Sequence, residues 1–294
     1  MSIFTGAGVA IITPFNEDGS VNYEEFGRII DDQISGGSDA IIVCGTTGES
    51  STMDHDEHIE VIKYCVEKVA GRVPVIAGSG SNCTREAINI SKRAEEVGAN
   101  GLLCVTPYYN KCTQEGLYQY YKAISDAVNI PIIMYNIPGR TGTTIQPETA
   151  VRIAKEVKNV VAIKEASGNI SAVAKLAALA DGCIDIYSGN DDQVLPILSL
   201  GGKGVVSVWS HVAPKKVHDM VYAYLNGDTA TATKLQLEAI DVIGALFCEV
   251  NPIPVKAAMN MLGYKAGPVR APLTELSDAH KELLKKALKD YGVL

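Results

Sequence analysis

The sequence predicts a (β/α)8 TIM barrel with a C-terminal helical extension. Three observations carry this. Short apolar, β-branched runs recur along the chain, each is followed by a longer stretch with helical patterning, and there are eight such units before the pattern turns wholly helical. Units of about 30 residues each are the size of one βα step of such a barrel.

The predicted strands fall near 7–13, 39–45, 73–78, 101–106, 130–136, 160–165, 184–188 and 204–208. The helical stretches that follow them fall near 22–36, 54–70, 84–97, 115–127, 147–157, 169–181, 191–200 and 214–226. Helix starts are marked by cap residues. Asp54 precedes His55-Asp56-Glu57, Thr84 precedes Arg85-Glu86, and Pro147 suits a first helical turn. The Asp191-Asp192 pair reads as another helix start, where carboxylates complement the helix dipole. No ninth strand follows. Segments near 229–249, 254–262 and 276–290 are helical, so residues 1–228 read as the barrel and 229–294 as the extension. An open doubly wound sheet would call for a Gly-rich dinucleotide turn after the first strand, and no GxGxxG stands there.

Composition narrows the function. Hydrophobic residues make up 47% and charged residues 20%, which suits a packed globule. A formal charge of −8 argues against nucleic acid and against an anionic membrane surface as partners. The seven cysteines are odd in number and form no CxxC pair, which argues against a disulfide framework or a zinc site. Cys44 and Cys104 sit in apolar runs, where cysteine acts as a small hydrophobe. No basic-then-apolar leader and no run approaching the ~20 apolar residues of a membrane span is present, so a cytoplasmic location is expected.

Lys164 is the chemically informative residue, because it interrupts the apolar run Val160-Val161-Ala162-Ile163. An ammonium stripped of water favours its neutral form, and a neutral amine in a dry pocket attacks carbonyls to form a Schiff base. A snorkelling or ion-paired lysine is the alternative. Its companions fall where a barrel gathers its chemistry, at the C-terminal ends of strands. These are Gly45-Thr46-Thr47-Gly48-Glu49-Ser50 after the second strand, Thr106-Pro107-Tyr108-Tyr109-Asn110 after the fourth, Tyr135-Asn136-Ile137-Pro138-Gly139-Arg140 at the fifth and Ser188-Gly189-Asn190-Asp191 at the seventh.

Each companion has a structural reading beside a functional one. The Gly45–Gly48 turn can cap backbone, or its N–H groups and hydroxyls can hold the carboxylate of an α-keto acid. Tyr135 can pack with a satisfied hydroxyl, or act as general acid and base. Arg140 can pair on the surface, or clamp a second carboxylate. Tyr108 and Tyr109 can plug an interface. His55 and His58, three apart on a helix, have metal-binding spacing but lack an evident third ligand.

Taken together, GTTGES, TPYYN, YNIPGRTG, AIKEASG, SGND, GVVSV and NPIPVKAA, in this order over essentially the whole chain, resemble the dihydrodipicolinate synthase family. That family belongs to the pyruvate-dependent class I aldolase group that includes N-acetylneuraminate lyase. The resemblance implies that Lys164 forms an imine with pyruvate and that Tyr135, Thr46 and Tyr109 form a proton relay, Tyr109 reaching in from a neighbouring subunit. It implies that Thr46 and Thr47 bind the pyruvate carboxylate, that Arg140 holds the carboxylate of L-aspartate-4-semialdehyde, and that backbone at Gly189 and Val206 lines the pocket. Val206 stands where isoleucine is common and SGND where SGDD is common, both mild departures. The implied enzyme is a lyase of lysine and diaminopimelate biosynthesis, needing no metal or organic cofactor, assembled as a dimer of dimers. A feedback site for L-lysine is implied at Ser50, Ser51, His55, His58, Asn82, Glu86 and Tyr108. A lyase for N-acetylneuraminate or another keto-sugar acid is the alternative on the same scaffold; Arg140 favours the small carboxylated aldehyde. A non-catalytic barrel would have no need of the lysine.

Overall fold

A computed structural model describes residues 2–294. Eight parallel strands pair in sequence order and close on themselves: β1 (Gly6–Ala10), β2 (Ala40–Val43), β3 (Val75–Gly78), β4 (Gly101–Val105), β5 (Ile132–Asn136), β6 (Val160–Glu165), β7 (Asp185–Ser188) and β8 (Gly204–Ser207). The expected (β/α)8 barrel is therefore the observed one, with each strand inside its expected segment save for one residue at the start of β1.

Closure follows from side-chain alternation. Ala10, Ala40, Ile42, Ile76, Leu103, Ile133, Tyr135, Ala162, Tyr187 and Val206 point inward and form one buried cluster with Phe4. Phe4 and Tyr187 stack with ring centroids 4.4 Å apart, and the Tyr187 hydroxyl donates to the Phe4 carbonyl at 2.5 Å. This plugs the interior, so the barrel is a packed core. Outward-facing residues such as Val9, Ile41, Val43, Ile132 and Ile163 pack on the surrounding helices. Gly204 sits where a Cβ would lie 1.9 Å from the Gly6 carbonyl oxygen, so only glycine lets β8 close against β1.

Around the sheet run α1 (Tyr23–Ser35), α2 (His55–Val69), α3 (Thr84–Glu96), α4 (Gln114–Ser125), α5 (Pro138–Thr141), α6 (Pro147–Glu156), α7 (Ile170–Ala180), α8 (Val194–Ser199) and α9 (Pro214–Leu225). Asp54 caps α2 by accepting from the N–H groups of Asp56 and Glu57, and Pro147 opens α6. Thr84 does not cap α3. It is the first helical residue, and Cys83 occupies the cap position without a side-chain bond. The short helix α5 was not expected from the sequence; four residues are too few to show a period.

The segment near 191–200 is not one helix. Asp191–Gln193 form a 3₁₀ turn, and α8 follows. The Asp191 carboxylate serves another element, accepting from the N–H groups of Val208 (3.0 Å) and Trp209 (2.9 Å) just beyond β8. Burial pushes its carboxyl up from the usual range.

After α9 come α10 (Thr229–Glu238), α11 (Ile240–Leu246), α12 (Ile253–Met261) and α13 (Asp278–Asp290). The stretch near 229–249 thus breaks at Ala239, where no glycine or proline marks it. These helices bury Ala232, Val242, Leu246, Val255, Met259, Leu284 and Leu288 in the same cluster as the helices of the barrel.

Candidate active site

The site is built where β2, β5, β6 and β7 end, with Val206 of β8 beside them. Tyr135 on β5 and Lys164 on β6 are register partners, as are Asn136 and Glu165 one residue on. Alternation sends the first pair inward and the second outward. Glu165 is consequently spent on structure: it accepts from Asn136 Nδ2 at 2.9 Å and from the Ser167 N–H at 2.8 Å. Lys164 is only 6% exposed, and its Nζ lies 4.1 Å from the centroid of the Tyr135 ring. Among the described residues no carboxylate lies within ion-pair distance of that amine. The aromatic face covers one side of the amine.

Gly189, directly after β7, leaves the room the amine needs. A Cβ there would stand 3.0 Å from Lys164 Cε and 2.6 Å from the Ala166 Cβ. Its N–H donates to the Glu165 carbonyl at 2.8 Å, which holds the turn against β6. Val206, inward on β8 and buried, shares the cluster with Tyr135.

The Gly45–Ser50 loop after β2 is tightly wound. Cys44 (φ 54°) and Glu49 (φ 56°) both adopt the left-handed region, which costs a non-glycine residue energy and is concentrated at functional sites. Gly48 and Glu49 donate back to the carbonyls of Gly45 and Thr46, both at 3.1 Å. Gly78 on β3 must be glycine, since a Cβ would sit 2.1 Å from the Cys44 carbonyl oxygen. The wound loop turns Thr47 inward, 3% exposed, where its hydroxyl accepts from Asn251 Nδ2 at 2.9 Å. The Asn251 backbone carbonyl in turn accepts from Arg140 Nη2 at 3.2 Å, across from α5.

A cavity of about 280 Å³ opens at this mouth. Thr46, Tyr135 and Arg140 line it, and so do Ser50, Ser51, His55, His58, Glu86 and Tyr108. Residues of both inferred sites therefore share one space. Glu86 is its only lining carboxylate among the described residues. His58 is pushed down to about 4 by burial, and its Nε2 donates to the Gly78 carbonyl at 2.8 Å, so the ring is neutral.

Six other sequence-selected residues, Lys164, Thr47, Gly189, Val206, Asn82 and Tyr109, are not among those that line this cavity. Asn82 lies off the cavity and uses its carbonyl to accept from Asn110 Nδ2 at 2.9 Å. Tyr109 is 91% exposed with φ 72°, and within the chain it reaches neither Thr46 nor Tyr135.

Four residues of this region have no assigned role from sequence reasoning: Asn251, Glu49, Lys256 and Arg270. Lys256 carried the signal that singled out Lys164, a lone lysine in an apolar run, here Ile253-Pro254-Val255-Lys256-Ala257-Ala258. Its environment differs. The Lys256 ammonium pairs with Glu49 at 2.9 Å and donates to the Pro268 carbonyl at 2.6 Å. Burial pushes it down to about 8, with Glu49 opposing.

A closed barrel with a lysine buried at the end of β6, beside an inward tyrosine and with no carboxylate in ion-pair distance among the described residues, defines an enzyme of class I aldolase type, a lyase. The chain belongs to the dihydrodipicolinate synthase family: the model of the Dihydrodipicolinate synthetase family matches residues 3–291. It is 55% identical over 294 residues to 4-hydroxy-tetrahydrodipicolinate synthase of Lachnoclostridium phytofermentans, covering 100% of both chains. A dihydrodipicolinate synthase from Cyanidioschyzon merolae, solved with lysine bound, superposes with TM-score 0.97 at 40% identity over 100% of both chains. A chloride-inhibited dihydrodipicolinate synthase from Acinetobacter baumannii, solved with pyruvate, gives TM-score 0.96 at 42% identity, covering 99% of each. No helix among the described residues is long and apolar enough to cross a membrane.

Proposed function

We propose that this chain condenses pyruvate with L-aspartate-4-semialdehyde to give 4-hydroxy-tetrahydrodipicolinate, the committed step toward diaminopimelate and lysine. The observation that carries the reading is the Lys164–Tyr135 pair, an amine without a carboxylate partner 4.1 Å from a tyrosine ring at the end of a barrel strand.

The Lys164 amine attacks the ketone carbon of pyruvate, and water leaves to give an imine. Loss of a methyl proton gives an enamine, with the iminium nitrogen taking the electron pair. The enamine carbon bonds to the aldehyde carbon of the semialdehyde, whose oxygen takes up a proton. The amino group of the semialdehyde then attacks the imine carbon and displaces Lys164, closing the ring and restoring the amine. Tyr135 and Thr46 move these protons, joined by Tyr109 of a second subunit. Its exposure and left-handed backbone suit a side chain held outward for a neighbour. Thr46 and Thr47 hold the pyruvate carboxylate, Arg140 the second carboxylate, and Gly189 and Val206 line the floor. The imine supplies the carbonyl activation, so the steps call on no metal or organic cofactor. Arg140 at the cavity mouth favours a small carboxylated aldehyde over a polyol.

L-Lysine acts as inhibitor in the same cavity, its ammonium on Glu86, with Ser50, Ser51, His55, His58, Asn82 and Tyr108 as the remaining candidates. The subunits assemble as a dimer of dimers, and residues 229–294 are an extension of the barrel rather than a separate unit.

The test is product analysis by mass spectrometry from pyruvate plus L-aspartate-4-semialdehyde, with Lys164→Ala beside wild type. A cyclised condensation product from wild type alone is expected. Borohydride trapping of pyruvate on a wild type that yields no such product would point instead to a keto-sugar-acid aldolase. Lysine at millimolar concentration that changes neither activity nor melting temperature would remove the inhibitor role.

A further inference from the structure

Asn251 stands outside the barrel sequence, between α11 and α12, yet it touches two residues of the mouth. Its side chain reaches Thr47, 204 positions away, and its backbone carbonyl reaches Arg140. The helix that follows it is anchored at two points. Lys256 on α12 is paired with Glu49 of the same loop that holds Thr47, and Asn260 exchanges hydrogen bonds with Gly267 (3.1 and 3.2 Å). Asn251 is buried, and so is Thr47.

The direction of the bond decides what Thr47 can do. A hydroxyl has one proton to give and two lone pairs to receive with. Asn251 Nδ2 donates to Thr47 Oγ1, which fills one lone pair and leaves the proton unspent. Among the described residues, no group of the chain receives that proton. On the far side Asn251 Oδ1 is buried without a partner. Turning the amide over would set Oδ1 against Thr47 and consume the proton, and it would leave both buried N–H donors unmatched instead of one N–H and the oxygen. Unmatched buried donors are the rarer defect.

We propose that Asn251 is a positioning residue for the pyruvate carboxylate: by donating to Thr47 it aims the Thr47 proton into the mouth, while its backbone carbonyl independently holds Arg140. The proposal rests on the reading of Thr47 and Arg140 as binders of two different carboxylates. Its consequence is a division by substrate. A change of the Asn251 side chain acts on pyruvate and leaves the semialdehyde alone, because Arg140 is held by backbone.

The experiment compares Asn251→Asp, Asn251→Ala, Thr47→Val and the double variant Asn251→Asp/Thr47→Val by steady-state kinetics in both substrates, with melting temperature alongside. Aspartate has the shape of asparagine but only accepts, so it draws the Thr47 proton away. Asn251→Asp is expected to raise KM for pyruvate about tenfold or more, the scale of a hydrogen bond to a charged group, with kcat and KM for the semialdehyde nearly unchanged. Asn251→Ala, which leaves the proton free, raises it less. In the Thr47→Val background Asn251→Asp adds nothing further.

The idea is overturned if alanine proves worse than aspartate, which is the order that packing alone dictates. It is also overturned if both KM values rise together, or if the aspartate penalty persists without the Thr47 hydroxyl, which signals plain charge repulsion. A wild type that traps no pyruvate with borohydride would remove the underlying functional reading, an outcome separate from all of these.

Discussion

Lys256 and Glu49 form a buried ion pair, 2.9 Å between Nζ and Oε1, with side chains 2% and 1% exposed, across 207 residues of sequence. The second Glu49 oxygen accepts from the Arg270 N–H at 2.9 Å. The Arg270 guanidinium goes on to a two-armed pair with Glu57 on α2 (2.5 and 2.6 Å). Lys256 and Arg270 both lie over the Phe15 ring, at 4.1 and 4.0 Å. This network pins the strained loop after β2 to the C-terminal helices. The loop that presents Thr46 and Thr47 is therefore held by residues from the far end of the chain.

Removing one partner from such a pair leaves an unmatched buried charge, which costs more than the pair contributes. Lys256→Met is expected to lower stability by about 3–5 kcal/mol, read by chemical denaturation. The double variant Lys256→Met/Glu49→Gln is expected to recover a substantial part of that loss. Additive losses in the double variant would show that the two residues are not coupled.

Gly189→Ala places a methyl group 3.0 Å from Lys164 Cε and 2.6 Å from the Ala166 Cβ. The lysine must move to make room, and catalysis is sensitive to displacement on the ångström scale. A fall in kcat of about a hundredfold is expected, with borohydride trapping of pyruvate reduced in parallel. Trapping at the wild-type rate would show that the amine tolerates the shift.

Tyr109 is tested by subunit mixing. Tyr109→Phe removes the hydroxyl and Lys164→Ala removes the amine, and each variant alone is expected to be nearly inactive. In a mixed assembly, the site that has its own Lys164 and borrows Tyr109 from the Lys164→Ala subunit is complete. Activity appearing on mixing is the expected result. Absence of recovery after verified subunit exchange would place Tyr109 outside the neighbour's site.

Acid sensitivity follows from two buried histidines. His211 Nδ1 donates to the Val208 carbonyl at 2.8 Å and Nε2 accepts from the Ile12 N–H at 3.0 Å, so the ring is held neutral. Burial pushes His211 down to about 4, as it does His58. Unfolded histidine takes up its proton near pH 6.5, so the unfolded state binds protons first. Stability is therefore whole above about 6.5 and is lost as pH falls through the window down to about 4, on the order of 3 kcal/mol for each ring. Denaturation midpoints at pH 7 and pH 5 check this. His211→Gln, which does not titrate, should flatten its share of the slope.

Most of the barrel was legible in the sequence because its rule is local. Two-residue alternation and the recurrence of helical stretches read off positions close in the chain, and the eight strands fell accordingly. Departures were a cap position shifted by one residue and a carboxylate claimed by distant groups. Thr84 had a capping hydroxyl but not the cap position. Asp191 looked like a helix start, yet its carboxylate was claimed by N–H groups beyond β8.

Lys164, Tyr135 and the Gly45–Ser50 loop were also legible, since a polar residue in an apolar run and a Gly-rich strand end are local signals. Strand position and companions singled out Lys164 in the sequence, but nothing local says why Lys256, in equally apolar company, plays a different part. That distinction belongs to the tertiary structure, which brings Glu49 to one and a tyrosine ring to the other. The same holds for Asn251, whose contacts with Thr47 and Arg140 exist only because the C-terminal helices fold back onto the barrel mouth. Whether a buried charge is paired, and which way a hydroxyl points, depend on atoms contributed from hundreds of positions away, and no local pattern encodes them.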